Sequence, residues 1–183
     1  MKTIYKGKRG LVSIDYINGL KVAVKTKRPD SKAINALKNE AHWLKILNNH
    51  KIGPKLISFK DDKLITEFID GEFFNDIIRK KKDKKLIKEV FNQCYIMDKL
   101  KVNKLEMHNP VKHIIINKKN KPVMIDFERC KFTQKPKNVT QFCQYLLKLG
   151  FDVDRNKLKD LLKEYKKDCD KETFEEIIDL FYE

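Results

Sequence analysis

Three ionisable side chains in this sequence stand where apolar neighbours would hold them away from water. Lys25 ends the run Val22-Ala23-Val24, Asp126 ends Pro122-Val123-Met124-Ile125, and Glu40 falls three residues after Leu37 on the apolar face of a helical stripe. A carboxylate on a partly buried face is costly unless paired, so Glu40 calls for a lysine or arginine from another part of the fold. A second group lies in Asn103-Lys104-Leu105-Glu106-Met107-His108 and at His113. Glu106 could accept a proton as a carboxylate, whereas His113 would suit magnesium poorly, because that hard ion prefers oxygen. Cys94, Cys130, Cys143 and Cys169 are widely spaced with no C-x-x-C pair. That spacing argues against a disulfide framework or a zinc site and for four ordinary buried or half-buried thiols.

Several elements must position these residues. Leu11–Ile17 and Leu20–Thr26 are β-rich runs joined by Asn18-Gly19, the dipeptide that best supplies the positive φ angles of a two-residue hairpin turn. Thr3 to Gly7 adds a preceding strand, which leaves Gly7-Lys8-Arg9-Gly10 as a glycine-bearing turn. From Ser31 as N-cap, Ile34, Leu37, Ala41, Leu44 and Leu47 predict an amphipathic helix to about Asn48. Gly53-Pro54 breaks the chain, and Leu56–Phe59 and Leu64–Ile69 predict a second hairpin turning at Asp61-Asp62.

Gly71 marks the crossover into a helical half. A short helix is expected over Asn75–Lys81, followed by a Lys-rich stretch to Lys85 and a stripe of Leu86, Val90, Cys94, Met97 and Leu100. Two short strands, His113–Asn117 and Pro122–Asp126, come next. Three closing helices are predicted over Val139–Leu149, Arg155–Lys167 and Lys171–Tyr182, with Asp154 and Asp170 as caps. The fold class that follows is α+β, with an antiparallel N-terminal sheet bearing one helix and a helical C-terminal half.

At 183 residues the chain suits one functional unit with one core or two small lobes, and the 41% hydrophobic fraction suits a folded protein. It has no apolar run near the length of a membrane span, and Met1–Lys6 has no secretory pattern, so a soluble, cytoplasmic protein is expected. Lys plus Arg number 41 against 26 acidic residues, an excess of +15. That charge attracts nucleic acid, anionic lipid or phosphorylated ligands without choosing among them, and a lysine-rich proteome bias also accounts for it. The segment Arg79–Lys85 could contact phosphates of RNA or of a ribonucleoprotein, and a solvated helix end explains it equally well. No run of closely spaced aromatics of the single-strand RNA-binding kind accompanies it.

The order of glycine turn, hairpin, Val22-Ala23-Val24-Lys25, helix with inward Glu40, second hairpin and Met124-Ile125-Asp126-Phe127-Glu128 resembles the protein-kinase superfamily. The short length looks more like the small, atypical Rio-type members, and the resemblance covers nearly the whole chain. It implies an N-lobe over residues 1–69 and a C-lobe over 70–183 of one kinase-like domain. It further implies that Lys25 holds the α and β phosphates of ATP and is fixed by Glu40, that Asp126 binds magnesium, and that Gly7 and Gly10 form a reduced glycine-rich loop. Leu64–Gly71 resembles the hinge, where backbone groups of Glu67 to Ile69 would meet the adenine edge.

The chain departs from that family in three places. The H-R-D or H-G-D position is taken by Lys104-Leu105-Glu106 and the metal-binding asparagine by His113 if the loop is longer than usual, or by His108 in place of the aspartate if it is gapless. Glu128 replaces the glycine of D-F-G, which makes large backbone swings harder. Only about a dozen residues separate Asp126 from the helix near Val139, with no A-P-E segment, so the activation segment is reduced. The expectation is an atypical Ser/Thr-kinase-like phosphotransferase using ATP and magnesium on a protein or small-molecule hydroxyl. The alternatives are a nucleotide-binding pseudokinase serving as an interaction module, and a basic RNA- or ribonucleoprotein-binding protein.

Overall fold

The computed structural model describes residues 2–6 as backbone and residues 10–28 and 35–182 in full. The fold is α+β, and the chain divides into two compact units: Met1–Gly71 with Val123–Cys130, and Glu72–Pro122 with Lys131–Glu183. The segment that carries Asp126 therefore belongs with the N-terminal sheet rather than with the rest of residues 70–183.

In the first unit, β1 (Lys2–Lys6), β2 (Gly10–Ile17), β3 (Leu20–Lys27), helix α1 (Ala36–Leu47), β4 (Leu56–Lys60) and β5 (Lys63–Glu67) follow in sequence. The strands form one antiparallel five-stranded sheet in the order β1-β2-β3-β5-β4. Asn18 and Gly19 have φ 49° and 77°, as a primed two-residue turn requires, and Asp61 and Asp62 close the second hairpin at φ 50° and 55°. Alternation along β3 buries Val22 and Val24. The expected N-cap at Ser31 and the apolar position Ile34 lie outside the described residues, as do Gly7, Lys8 and Arg9. Helix α1 begins later, at Ala36, because Asn35 adopts a left-handed φ of 59° that no helix can continue through. Ala41, Leu44 and Leu47 form its buried stripe.

A 3-10 turn over Asn48–His50 ends that helix, and Asn48 ties the turn to β4. Its Nδ2 donates to the carbonyls of Ile52 and Pro54, and its Oδ1 accepts from Leu56 N–H at 2.7 Å. Strand β5 stops at Glu67, so Phe68 and Ile69, read from the sequence as strand, lie beyond it.

The chain continues through β6 (Gly71–Phe73), α2 (Phe74–Lys80), α3 (Lys84–Lys99), β7 (Val102–Asn103), a 3-10 turn over Leu105–His108, and β8 (Ile114–Asn117). Strand β9 (Pro122–Met124) leads into the Asp126 segment, and β10 (Lys131–Phe132), α4 (Asn138–Lys148), α5 (Arg155–Asp168) and α6 (Lys171–Leu180) complete the fold. Asp83, inside the lysine run, caps α3 by accepting from Leu86 N–H, so the helix starts there instead of after Lys85. Asp154 and Asp170 cap α5 and α6 as their positions suggest, Asp170 accepting from Thr173 N–H at 2.7 Å. The core of the second unit is aromatic: Phe91 meets Phe142 edge-on at 4.8 Å between centroids, and Tyr95 stacks on Phe174 at 4.3 Å. All four cysteines are buried. Among the described residues no helix is long and apolar enough to cross a membrane.

Two glycines with the same φ of +79° have different surroundings. A Cβ on Gly53 would sit 2.8 Å from both Leu44 Cδ2 and Phe127 Cε2, whereas one on Gly150 would meet nothing within 4 Å. Gly150→Ala should therefore cost only the left-handed backbone penalty, about 1–2 kcal/mol. Gly53→Ala should cost a further ~1–3 kcal/mol from overpacking. Urea unfolding of the two variants measures the difference.

Candidate active site

Lys25 lies in the centre of the first sheet, opposite Val12 on β2 and Leu64 on β5. Its Nζ is 2.6 Å from Glu40 Oε1 on α1, so the cation that the buried carboxylate demands is Lys25. The Glu40 side chain is 2% exposed and that of Lys25 22%, which makes Glu40 the partner that cannot return to water. Burial disfavours the lysine charge, but Glu40 first, then Asp126 and Glu128, more than offset it, and the ammonium pKa stands above its ordinary 10.5. Asp126 is thus within electrostatic reach of the pair.

Asp126 itself has φ 65°, a left-handed conformation that costs a non-glycine residue about 1–2 kcal/mol. Such outliers persist where neighbouring structure over-determines them, and they gather at functional positions. Here helix α1 supplies the restraint. Asn39 Nδ2 donates to the carbonyls of Glu128 at 2.8 Å and Cys130 at 3.0 Å, and Trp43 Nε1 donates to Cys130 O at 2.9 Å. Between these anchors Phe127 is fully buried against Leu44 and the turn at Gly53. The sequence reading did not include Asn39 or Trp43. Their spacing of four residues marks one helix face, but backbone carbonyls as acceptors leave no trace in the sequence.

The other expected site residues divide between the two units. Gly10 opens β2, where a Cβ would lie 3.0 Å from Thr26 O. At the expected hinge, Glu67 N–H already donates to Lys55 O and Phe68 N–H to Lys21 O, while Ile69 donates to no backbone carbonyl among the described residues. Glu106, His108 and His113 belong to the second unit. Glu106 Oε2 stands 3.4 Å from Nζ of Lys104, a lysine that is 0% exposed. His108 is exposed and turns back on its own 3-10 turn, with Nδ1 2.9 Å from Leu105 O, an arrangement that needs the proton on Nδ1. His113 is half-buried and closes the turn into β8 by donating its N–H to Pro110 O. Among the described residues no three His, Cys, Asp or Glu side chains cluster as a metal site would.

The segment leading to Glu106 is fixed by a buried network. Asn138 Oδ1 accepts from Lys104 N–H at 2.8 Å, and its Nδ2 donates to Val102 O and to Asp98 Oδ1. Asp98, 0% exposed, also accepts from the N–H groups of Asn138 and Val139 and from Tyr165 OH. Burial pushes its pKa up to about 6 against the opposing pull of those donors.

Lys25→Met should cost more stability than Glu40→Gln, about 3–5 kcal/mol against about 1–2, because it strands the buried carboxylate. The Lys25 contribution, with a raised pKa, is complete below pH 10.5 and is lost only as pH rises through the higher folded value. Asp98 acts in the same sense but in the acid range, because its folded pKa is also raised. Between its unfolded value of 3.8 and about 6 the native state keeps a proton that the unfolded chain has lost, so stability falls across that window by roughly 3 kcal/mol. Asp98→Asn should flatten the slope in denaturant titrations run from acid to neutral pH.

No protein-family model matches the chain and no curated protein matches it, so the reading of the site rests on the residues and geometry above.

Proposed function

We propose that the chain binds ATP with magnesium and acts as an atypical Ser/Thr-kinase-like phosphotransferase toward a hydroxyl acceptor. The observation that carries this reading is the 2.6 Å ion pair between the strand lysine Lys25 and the helix glutamate Glu40, with the Asp126 charge in reach. A lysine held charged and aimed by a buried carboxylate is suited to the α and β phosphates of a nucleotide. Asp126 would hold magnesium, and a single carboxylate fits that ion, which takes one or two protein carboxylates and completes its shell with phosphate oxygens and water. When bound, the ion supplies neutralisation of the charge on the β and γ phosphate oxygens.

In the transfer, the acceptor oxygen bonds to the γ-phosphorus as the bond to the β-γ bridging oxygen breaks, and ADP departs. We assign Glu106 the task of receiving the hydrogen bond, and then the proton, of the acceptor hydroxyl. His108 is the second candidate: with Nδ1–H donated to Leu105 O, its Nε2 carries the lone pair that would receive the proton instead. Phosphoryl transfer depends chiefly on positioning and charge stabilisation, so an imperfect base lowers the rate without preventing reaction.

A second reading is a nucleotide-binding pseudokinase. It is favoured by the contact of Glu106 Oε2 with the buried Lys104, which engages that oxygen within its own turn rather than leaving it to an acceptor hydroxyl.

Thermal shift with ATP and magnesium, together with transfer from γ-labelled ATP to protein or small-molecule acceptors, separates these readings. An active enzyme should be stabilised by ATP and should transfer label, with Asp126→Ala and Lys25→Ala abolishing transfer and Glu106→Gln lowering it about 10²–10⁴-fold. Stabilisation without transfer supports the pseudokinase. No response to nucleotide in a folded protein ends both.

A further inference from the structure

Residues 131–137 read Lys131-Phe132-Thr133-Gln134-Lys135-Pro136-Lys137, a stretch with three lysines and no carboxylate. Its backbone is pinned within the second unit. Lys131 and Phe132 pair with Asn103 and Val102 across β10 and β7, and Thr133 N–H donates to Lys101 O at 2.9 Å. Lys135 N–H donates to Thr133 Oγ1 at 3.2 Å and Lys137 N–H to Asn103 Oδ1 at 2.8 Å. Despite this anchoring Phe132 is 61% exposed, and Lys131, Lys135 and Lys137 are exposed beside it. Among the described residues no carboxylate pairs with any of the three.

The run Arg79–Lys85 is different although it carries more charge. Arg79 Nε donates to Asn75 Oδ1, Lys82 Nζ donates to Gly150 O at 2.7 Å and lies over the Phe151 ring, and Lys84 Nζ donates to Tyr182 O and lies over the Tyr182 ring. Half of that run's cations are spent inside the fold, and the aromatic rings beside it are covered by its own lysines.

We propose that residues 131–137 form a binding surface for single-stranded nucleic acid, with Phe132 as the stacking platform and Lys131, Lys135 and Lys137 as phosphate contacts. A ring on a fixed strand, open to solvent and flanked by unpaired cations, is what an unpaired base on a charged backbone needs, because every base offers a π face. A polyanion also draws on separate lysines through release of its counterions, without requiring each to hold one geometry. An acidic peptide would gain little from three exposed ion pairs and would leave Phe132 without a partner. The net charge of +15 assists the encounter. This surface does not depend on phosphotransfer.

The test is fluorescence anisotropy of the full chain with a labelled oligoadenylate of about 12 nucleotides, titrated over about 50 to 200 mM salt. Phe132→Ala should weaken binding roughly 10-fold with the salt slope unchanged, and Phe132→Trp should restore it. Replacing Lys131, Lys135 and Lys137 together by Ala should lower the log–log salt slope by about 2. The matched triple replacement of Lys80, Lys81 and Lys85 should leave the slope and affinity close to those of the parent. Should Phe132→Ala melt below the parent protein, Phe132→Leu, which keeps an apolar side chain opposite Val102 but has no π face, serves the same comparison. The proposal is overturned if the oligonucleotide does not bind, if neither Phe132 variant weakens binding, or if both lysine triples act alike. It is equally overturned if an oligoglutamate peptide displaces the probe as well as unlabelled oligoadenylate does, which would assign the surface to acidic protein segments.

Discussion

The burial of Glu40 is the constraint on which the first unit depends. A carboxylate that is 2% exposed must be compensated, and its partner comes from the middle of the sheet, so the pair fixes α1 against β3 both along and around the helix axis. With that orientation set, the neighbouring face of the same helix places Asn39 and Trp43 over the carbonyls of Glu128 and Cys130. Two segments remote in sequence, β3 and the stretch from Glu128 to Cys130, are thereby registered to one helix. A rotation of α1 by a single residue, about 100°, would break the ion pair and the carbonyl clamp together.

The second unit solves a similar problem with different chemistry. Asp98 is as buried as Glu40, yet the contacts made to its oxygens come from neutral donors: two backbone amides, an asparagine amide and a tyrosine hydroxyl. Neutral donors recover less of the lost hydration than a cation does, which is why its pKa rises. What the arrangement gains is geometry, since Asn138 relays the anchoring to residues 102 and 104, immediately ahead of the turn that bears Glu106.

Much of the element order could be read before any coordinates, because its signals are local. Asn18-Gly19 and Asp61-Asp62 announce hairpins through the φ angles they tolerate, and Asp154 and Asp170 announce helix starts through the oxygens they offer. The need of Glu40 for a cation was likewise legible as a cost of burial, and Lys25 meets it. What stayed hidden depends on backbone groups or on distance along the chain. Asn35 sets the start of α1 through its own left-handed φ and makes no side-chain cap, so nothing in its side chain marks that start in the sequence. Asp83 was masked by the lysines around it. The lysines at 82 and 84 look solvated in sequence because their acceptors, the carbonyls of Gly150 and Tyr182, carry no residue signature. The return of Val123–Cys130 to the first unit joins residues nearly ninety positions apart, as in the 87-residue separation of the Trp43–Cys130 bond.

The four thiols, none more than 3% exposed, have a practical meaning. Burial raises the pKa of Cys94, Cys143 and Cys169, so neither access nor ionisation favours attack on them in the native fold. Modification by a thiol reagent must therefore wait for the protein to open. Cys130 lies in the first unit, under the Trp43 hydrogen bond, and the other three lie in the second. The native chain thus carries its own pair of clocks: the labelling rate at Cys130 times the opening of the sheet unit, and the rates at the remaining cysteines time that of the helical one.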